Sequence, residues 1–380
     1  MRVLHVVTLA NPYGAFGGPL RVALNQSIGL RRRGHDVQLA AGWDGAMTAP
    51  ADLDGVPAHL FPSHRLVRPM GFSGMWSPRL AGWLRKRAGD FDVVHIHAGR
   101  DLTSITSMAI VRSRDVPYVT QTHGMIGADR RAIARTLDAI ATRRLLHSAA
   151  VRFVLTQREL LELEDVLKPG AVLVTLTNGL EVPLHAPARP KSDATEILFC
   201  ARLQQRKRPR AFIEMARILL DRGTRARFAV VGPDEGELQS TRRLVSELSM
   251  EEHVRFEGPL AYEQVPARLA AADLYVLPSV DEPFPMSLLE AIAHGVPSIC
   301  TDSCGIAELL RDSGAAVVSD PSPQALANAV EWLLPRMAEQ SARAHAAARQ
   351  LFSIQAVVDV LEAQYVVAAN ASPMRRPERR

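Results

Sequence analysis

At 380 residues the chain is too long for one ordinary hydrophobic core, and its length predicts two domains joined by a linker. Hydrophobic residues make up 47% and charged residues 22%, which excludes a disordered or fibrous chain. The 45 Lys and Arg against 40 Asp and Glu leave a formal charge of +5, which suits anionic small molecules or an anionic membrane surface and is too modest to argue for nucleic acid.

Met1–Val7 carries one cation and a short apolar run with no small-residue cleavage site after it, so it reads as a first strand rather than a leader. No stretch reaches the roughly 18 apolar residues of a membrane span, so any membrane association is expected to be peripheral, on the inner face. Cys200, Cys300 and Cys304 cannot form a disulfide framework, and the last two lack a second pair at zinc spacing; they read as buried thiols of a reducing cytoplasm.

Taken in order, Leu4–Thr8 is a continuous apolar strand and Pro19–Arg33 has helical periodicity, closed by Arg31-Arg32-Arg33 and Gly34. Strands follow at Asp36–Ala40, Phe91–Ile96, Tyr118–Gln121, Ala150–Leu155 and Val172–Thr175, short Val/Ile/Leu-rich runs of the kind buried in parallel sheets. From Pro183 the pattern lapses into prolines and polar residues, which predicts the domain boundary at 185/186. Strand and helix then alternate again: Ile197–Ala201, helix Pro209–Asp221, Arg227–Val231, helix Glu237–Leu248, Val254–Glu257, helix Glu263–Ala271, Leu274–Leu277, helix Met286–His294, Ser298–Thr301. The second domain is expected to span 186–352, followed over 353–380 by a C-terminal helix able to cross back to the first domain and a basic tail. Two β-α series predict an α/β protein of two Rossmann-like domains, each a parallel sheet wound on both faces.

Ligands of such sheets bind beyond the carboxyl ends of the strands. There the first domain has the Gly-rich turn Tyr13–Pro19, including Gly17 and Gly18, which can bring backbone N–H groups to a phosphate; it is not the dinucleotide fingerprint G-x-G-x-x-G. His123, in Gln121-Thr122-His123-Gly124, can hydrogen-bond a sugar hydroxyl, with His95 and His97 competing for that role. In the second domain Arg202 and Lys207 follow the first strand, where two cations can neutralise a leaving diphosphate without a metal. Glu282 lies in the loop after a strand and Glu290 inside the helix that follows, whose start offers free N–H groups; such carboxylates anchor polyols.

The stretch Glu282-Pro283-Phe284-Pro285-Met286-Ser287-Leu288-Leu289-Glu290-Ala291 to Gly295-Val296-Pro297, two glutamates separated by seven residues, resembles the signature of retaining glycosyltransferase family 4. Gly17-Gly18, Arg33–Val37, His95-Ile96-His97, Thr122-His123-Gly124, Asn178-Gly179, Arg202 with Lys207, and Val231-Gly232-Pro233 match in the family's order, so the resemblance spans most of the chain. It implies a GT-B fold, two facing Rossmann-like domains around an interdomain cleft, with the nucleotide-diphosphate sugar held mainly by the C-terminal domain and the acceptor by the N-terminal one. By that resemblance Glu282 binds donor sugar hydroxyls, Glu290 the ribose, Arg202 and Lys207 the diphosphate; His123 lies beside the sugar and Gly18 offers its amide to phosphate. No metal and no cofactor is implied, the sugar nucleotide (UDP-, GDP- or ADP-linked) being a co-substrate. Pro283 and Pro285 depart from the family's glycines and donate no N–H, so loop contacts to the diphosphate fall to Phe284, Met286 or Ser287.

The expected acceptor is a carbohydrate or lipid-linked saccharide, in polysaccharide or glycolipid assembly. Arg65–Arg87 mixes cations with Leu66, Met70, Phe72, Trp76 and Trp83, which suits either a membrane surface or an ordinary surface loop and amphipathic helix. Another GT-B enzyme, such as a 2-epimerase or an inverting transferase, would share the architecture without the paired glutamates; a non-catalytic sugar-nucleotide binder would lack one of Arg202, Lys207, Glu282 or Glu290.

Overall fold

The computed structural model describes residues 1–11, 18–45, 48–66, 73–126, 141–167, 170–186 and 194–371. Gly17 and the rest of the turn before it, Met70 and Phe72, most of the proline-rich stretch after Pro183, and the basic tail lie outside the described residues. The chain divides into two compact units, Met1–Gly179 with Ile354–Arg380, and Leu180–Ser353. The last helix, Ile354–Asn370, thus belongs to the first unit.

The first unit contains β1 (Arg2–Ala10), β2 (Asp36–Trp43), β3 (Asp52–Leu53), β4 (Val56–Pro62), β5 (His64–Arg65), β6 (Met75–Trp76), β7 (Val93–His97), β8 (Tyr118–Gln121), β9 (Val151–Val154) and β10 (Leu173–Thr175). Eight form one sheet in the order β10-β9-β8-β7-β1-β2-β4-β3, parallel except for the β3/β4 hairpin at the edge; β5 and β6 pair separately. The order reverses between β1 and β7, which makes their carboxyl ends the switch point of the sheet. β4 escapes the sequence pattern because Pro57 and Pro62 bracket a mixed run, a composition tolerated beside a sheet edge.

Helices Pro78–Arg87 and Leu102–Ser113 cover one face, burying Leu80, Leu84, Met108 and Val111 against Val94, Ile96 and Tyr118. Helices Gly18–Arg32 and Ile354–Asn370 contribute to the other, where Leu30, Val357, Val358, Leu361 and Tyr365 pack with Val93, Val119 and Phe153. Each such apolar side chain contributes about 1.5–3 kcal/mol. The two helices approach closely at Gly29, where a Cβ would meet Val358 Cγ2 at 2.7 Å and Ile354 Cγ1 at 2.8 Å. In helix Pro78–Arg87 the cations Arg79, Arg85, Lys86 and Arg87 are exposed, while Trp83 packs within 4.5 Å of His59 and 6.3 Å of Phe91, ring centre to ring centre. That tryptophan is part of the unit's own packing.

The second unit holds β11 (Thr195–Cys200), β12 (Ala226–Val231), β13 (Val254–Gly258), β14 (Leu274–Leu277), β15 (Ser298–Thr301) and β16 (Val317–Ser319), all parallel, in the order β13-β12-β11-β14-β15-β16. Its order reverses between β11 and β14. Helix Pro209–Asp221 starts on proline, which suits a first helical position, and buries Phe212, Ile213, Met215, Ala216 and Leu219 beside Phe199 and Phe228. β16 is three residues long and was not marked by the sequence pattern. Cys200, Cys300 and Cys304 are free and buried. Among the described residues no helix is long and apolar enough to cross a membrane.

Candidate functional site

The carboxyl ends of β11 and β14 carry the residues singled out in the second unit. The turn after β11 winds Gln205–Lys207 into one 3-10 turn, and Arg208 then takes a left-handed φ of 54° to enter the next helix. Val280 N–H donates to Arg206 C=O at 3.0 Å, tying this turn to the loop after β14. Across that tie Lys207 Nζ donates to Glu282 Oε2 at 2.6 Å, with side chains 10% and 8% exposed. Arg206 lies 3.6 Å from the same oxygen. Burial lowers the Lys207 pKa, the Glu282 carboxylate opposing the shift and Arg206 and Arg202 adding to it.

Arg202 reaches the same field but not the same partner: its guanidinium pairs with Glu235 at 2.9 Å, on a side chain half exposed. An exposed pair of this kind is worth little and is easily exchanged for another anion. Glu235 was not foreseen from the sequence. It is brought in because Leu203 bridges to the Pro233–Glu235 turn, which Gly232 allows by passing its Cα so near Ala201 that a Cβ would lie 2.0 Å from that carbonyl.

The loop after β14 is held from below. Glu282 C=O accepts from Gly305 N–H at 2.8 Å, and a side chain on Gly305 would come within 2.4 Å of Pro283 C=O. Phe284 is buried, Pro285 is the residue that precedes helix Met286–Ala293, and Glu290 sits half-buried about one turn in. Tyr275 OH donates to Cys200 C=O, so the Ser287 hydroxyl donates to Tyr275 at 2.8 Å, and the N–H that Ser287 has left for a phosphate is its backbone one. The structure therefore gathers Arg202, Arg206, Lys207 and Glu282, with Phe284, Met286, Ser287 and Glu290 on the adjoining loop and helix.

In the first unit Gly18 is the exposed first residue of helix Gly18–Arg32. His123 and Gly124 both adopt left-handed backbone, φ 52° and 69°. Their turn is fixed by Glu159, a buried carboxylate that accepts from Thr122 Oγ1 and Gly124 N at 2.5 Å each and from Leu155 N at 2.6 Å. Thr156 caps the helix Gln157–Val166 through the Glu159 N–H. His123 Nε2 meets His97 Nδ1 at 2.8 Å, and His97 Nε2 meets His5 Nδ1 at 3.0 Å. Desolvation lowers the pKa of His123 and of His5 to about 3 and holds His95 and His97 well below the usual histidine range.

Two family models match the chain: "Glycosyl transferases group 1" over residues 184–351 and "Glycosyl transferase 4-like domain" over residues 17–179. D-inositol 3-phosphate glycosyltransferase 1 of Catenulispora acidiphila is 31% identical over 63% of this chain and 62% of its own length. The D-inositol 3-phosphate glycosyltransferase of Geodermatophilus obscurus is 30% identical (78% and 66%), and that of Kineococcus radiotolerans 27% identical (91% and 89%). The chain thus spans just under two thirds of the first two relatives. In fold it is similar to Anabaena HepE in complex with UDP (TM-score 0.76, 17% identity, 96% of this chain and 100% of that one) and to sucrose-phosphate synthase of Thermosynechococcus elongatus (TM-score 0.73, 17% identity, 98% and 100%). The chain belongs to the group 1 glycosyltransferases of family 4, on the GT-B fold.

Proposed function

We propose that this glycosyltransferase moves a hexosyl group from a nucleoside-diphosphate sugar to a hydroxyl acceptor with retention of anomeric configuration. The observation that carries the reading is the buried Lys207–Glu282 pair at the switch point of the second sheet. A diphosphate arriving there meets Arg202, Arg206 and Lys207, three cations that can neutralise the leaving group without a metal. Glu282, released from Lys207, accepts from donor sugar hydroxyls, and Glu290 from the ribose. The Phe284, Met286 and Ser287 backbone serves phosphate, in place of the N–H groups that Pro283 and Pro285 lack. Gly18, the first residue of helix Gly18–Arg32, offers its amide, Gly17 before it in sequence is read the same way, and His123 meets the sugar.

Among the described residues no side chain stands out as a covalent nucleophile, so the reading favours front-face departure, the leaving diphosphate helping to deprotonate the acceptor. The acceptor is a carbohydrate or lipid-linked saccharide of polysaccharide or glycolipid assembly, bound by the first unit, with the exposed cations of Pro78–Arg87 available to an anionic membrane surface. UDP bound to HepE makes UDP-sugars the first donors to try. A thermal-shift screen against UDP-, GDP- and ADP-sugars tests the donor: at a hundred times its dissociation constant the right one stabilises by about 2.7 kcal/mol. No shift from any of them, or a product with the opposite anomeric configuration by NMR, sinks the reading.

A further inference from the structure

His5, His95, His97 and His123 line up at the switch point of the first sheet. Strand alternation puts His95 and His97 on one face of β7, and the β1/β7 register sets His5 directly beside His95. Tyr365, from the last helix, covers them: its hydroxyl is 2.7 Å from His95 Nδ1 and 3.5 Å from His5 Nε2. Together with the two histidine–histidine bonds this makes one chain, His95–Tyr365–His5–His97–His123, of which all but His123 are fully buried.

A neutral imidazole has one N–H and one bare nitrogen, so along such a chain the direction of one bond sets the direction of the next. His95 Nε2, at the far end, is buried with no partner among the described residues. If the bonds ran from His123 inward, that nitrogen would carry a buried N–H with no acceptor, an arrangement native structures avoid. Running outward, the unpartnered position is a bare lone pair, the N–H groups of His95, His5 and His97 each have an acceptor, and the one N–H left over is on the partly exposed His123. We infer that His97 donates its Nδ1–H to His123 Nε2 and so locks His123 as the neutral Nδ1–H tautomer, a hydrogen-bond donor rather than a base toward whatever it meets. His97 is a positioning residue, backed by His5, Tyr365 and His95. A metal shared by His5, His95 and His97 is the competing use of the cluster. Two nitrogens on a tetrahedral zinc stand about 3.3 Å apart, whereas His5 and His97 are at hydrogen-bond distance, 3.0 Å.

The catalytic meaning of this lock rests on the proposed role of His123, but the tautomer does not, and the test separates them. In the full chain labelled with ¹⁵N-histidine, long-range N–H correlation spectra between pH 6 and 8 are expected to show His123 as a single Nδ1–H tautomer. His97→Leu is expected to lose that single form and give an exchanging mixture, while His97→Asn, which keeps an amide N–H for His123, retains it. An Nε2–H signal for His123 in the wild type, an unchanged spectrum in His97→Leu, or stoichiometric zinc that disappears in His95→Ala overturns the inference. If the spectra are as expected but His123→Ala keeps full turnover, the lock stands and the role of His123 at the sugar falls.

Discussion

Lys207 and Glu282 face each other at 2.6 Å in the second unit, each about nine-tenths buried, so the site without ligand already holds a compensated charge pair. In the proposed reading an incoming diphosphate replaces Glu282 as the partner of Lys207, and the freed carboxylate is then available to hydroxyls. On that reading, binding and rearrangement of the pair are one event.

Removing Lys207 therefore acts on stability as well as rate. Lys207→Ala leaves Glu282 buried without its partner and is expected to lower unfolding stability by about 3–5 kcal/mol, with turnover reduced by about a hundredfold or more. Combining Lys207→Met with Glu282→Leu removes both charges and is expected to restore most of the stability, by urea denaturation, while activity stays lost. A Lys207→Ala enzyme with wild-type turnover would remove this residue from the mechanism.

Glu159 touches no ligand in the proposed reading, yet it shapes the turn that carries His123. Glu159→Ala strands the N–H of Gly124 and of Leu155 and the Thr122 hydroxyl, and should cost about 3 kcal/mol. Turnover is expected to fall while nucleotide affinity, measured by calorimetry, stays near wild type. Equal losses in both would show a general collapse instead.

The histidine cluster makes the first unit sensitive to acid. His5 has a folded pKa of about 3 against 6.5 for a free histidine, so between those values the unfolded chain binds the extra proton. Stability is then fully present above pH 6.5 and is lost as the pH falls toward 3, about 2 kcal/mol for His5 alone at pH 5. His5→Asn should flatten the pH dependence of urea denaturation between pH 7 and 5. An unchanged slope would mean that His5 is solvated.

Gly305 sets the height of the loop that carries Glu282, because no side chain fits between it and Pro283. Gly305→Ala is expected to displace Glu282 and weaken donor binding, read by thermal shift with the sugar nucleotide. A fully responsive variant would show that the loop has slack.

Much of this was legible in the sequence. Continuous apolar runs bounded by turn residues located β8 and β14 to the residue, and Pro209 with its periodic apolar face located the helix Pro209–Asp221. The convergence of Lys207 and Glu282 was legible because both follow strands whose carboxyl ends bind ligands. Arg202's partner was not: Glu235 follows a different strand, and only the close pass at Gly232 brings it near. Thr156-x-x-Glu159 carries the capping-box spacing, but that pattern says nothing of a carboxylate reaching Thr122 and Gly124. His5 reads as a lone histidine in an apolar strand, and only the register of β1 against β7 shows its company.

Tyr365, which seals the histidines, lies on a helix that follows the entire second unit in sequence. A ribosome must release every residue of Leu180–Ser353 before that lid on the first sheet exists. Of the two units, the one that begins first is thus completed second, and its buried imidazoles stay open to water until Tyr365 has emerged, an order opposite to the usual N-terminal-first progress of nascent domains.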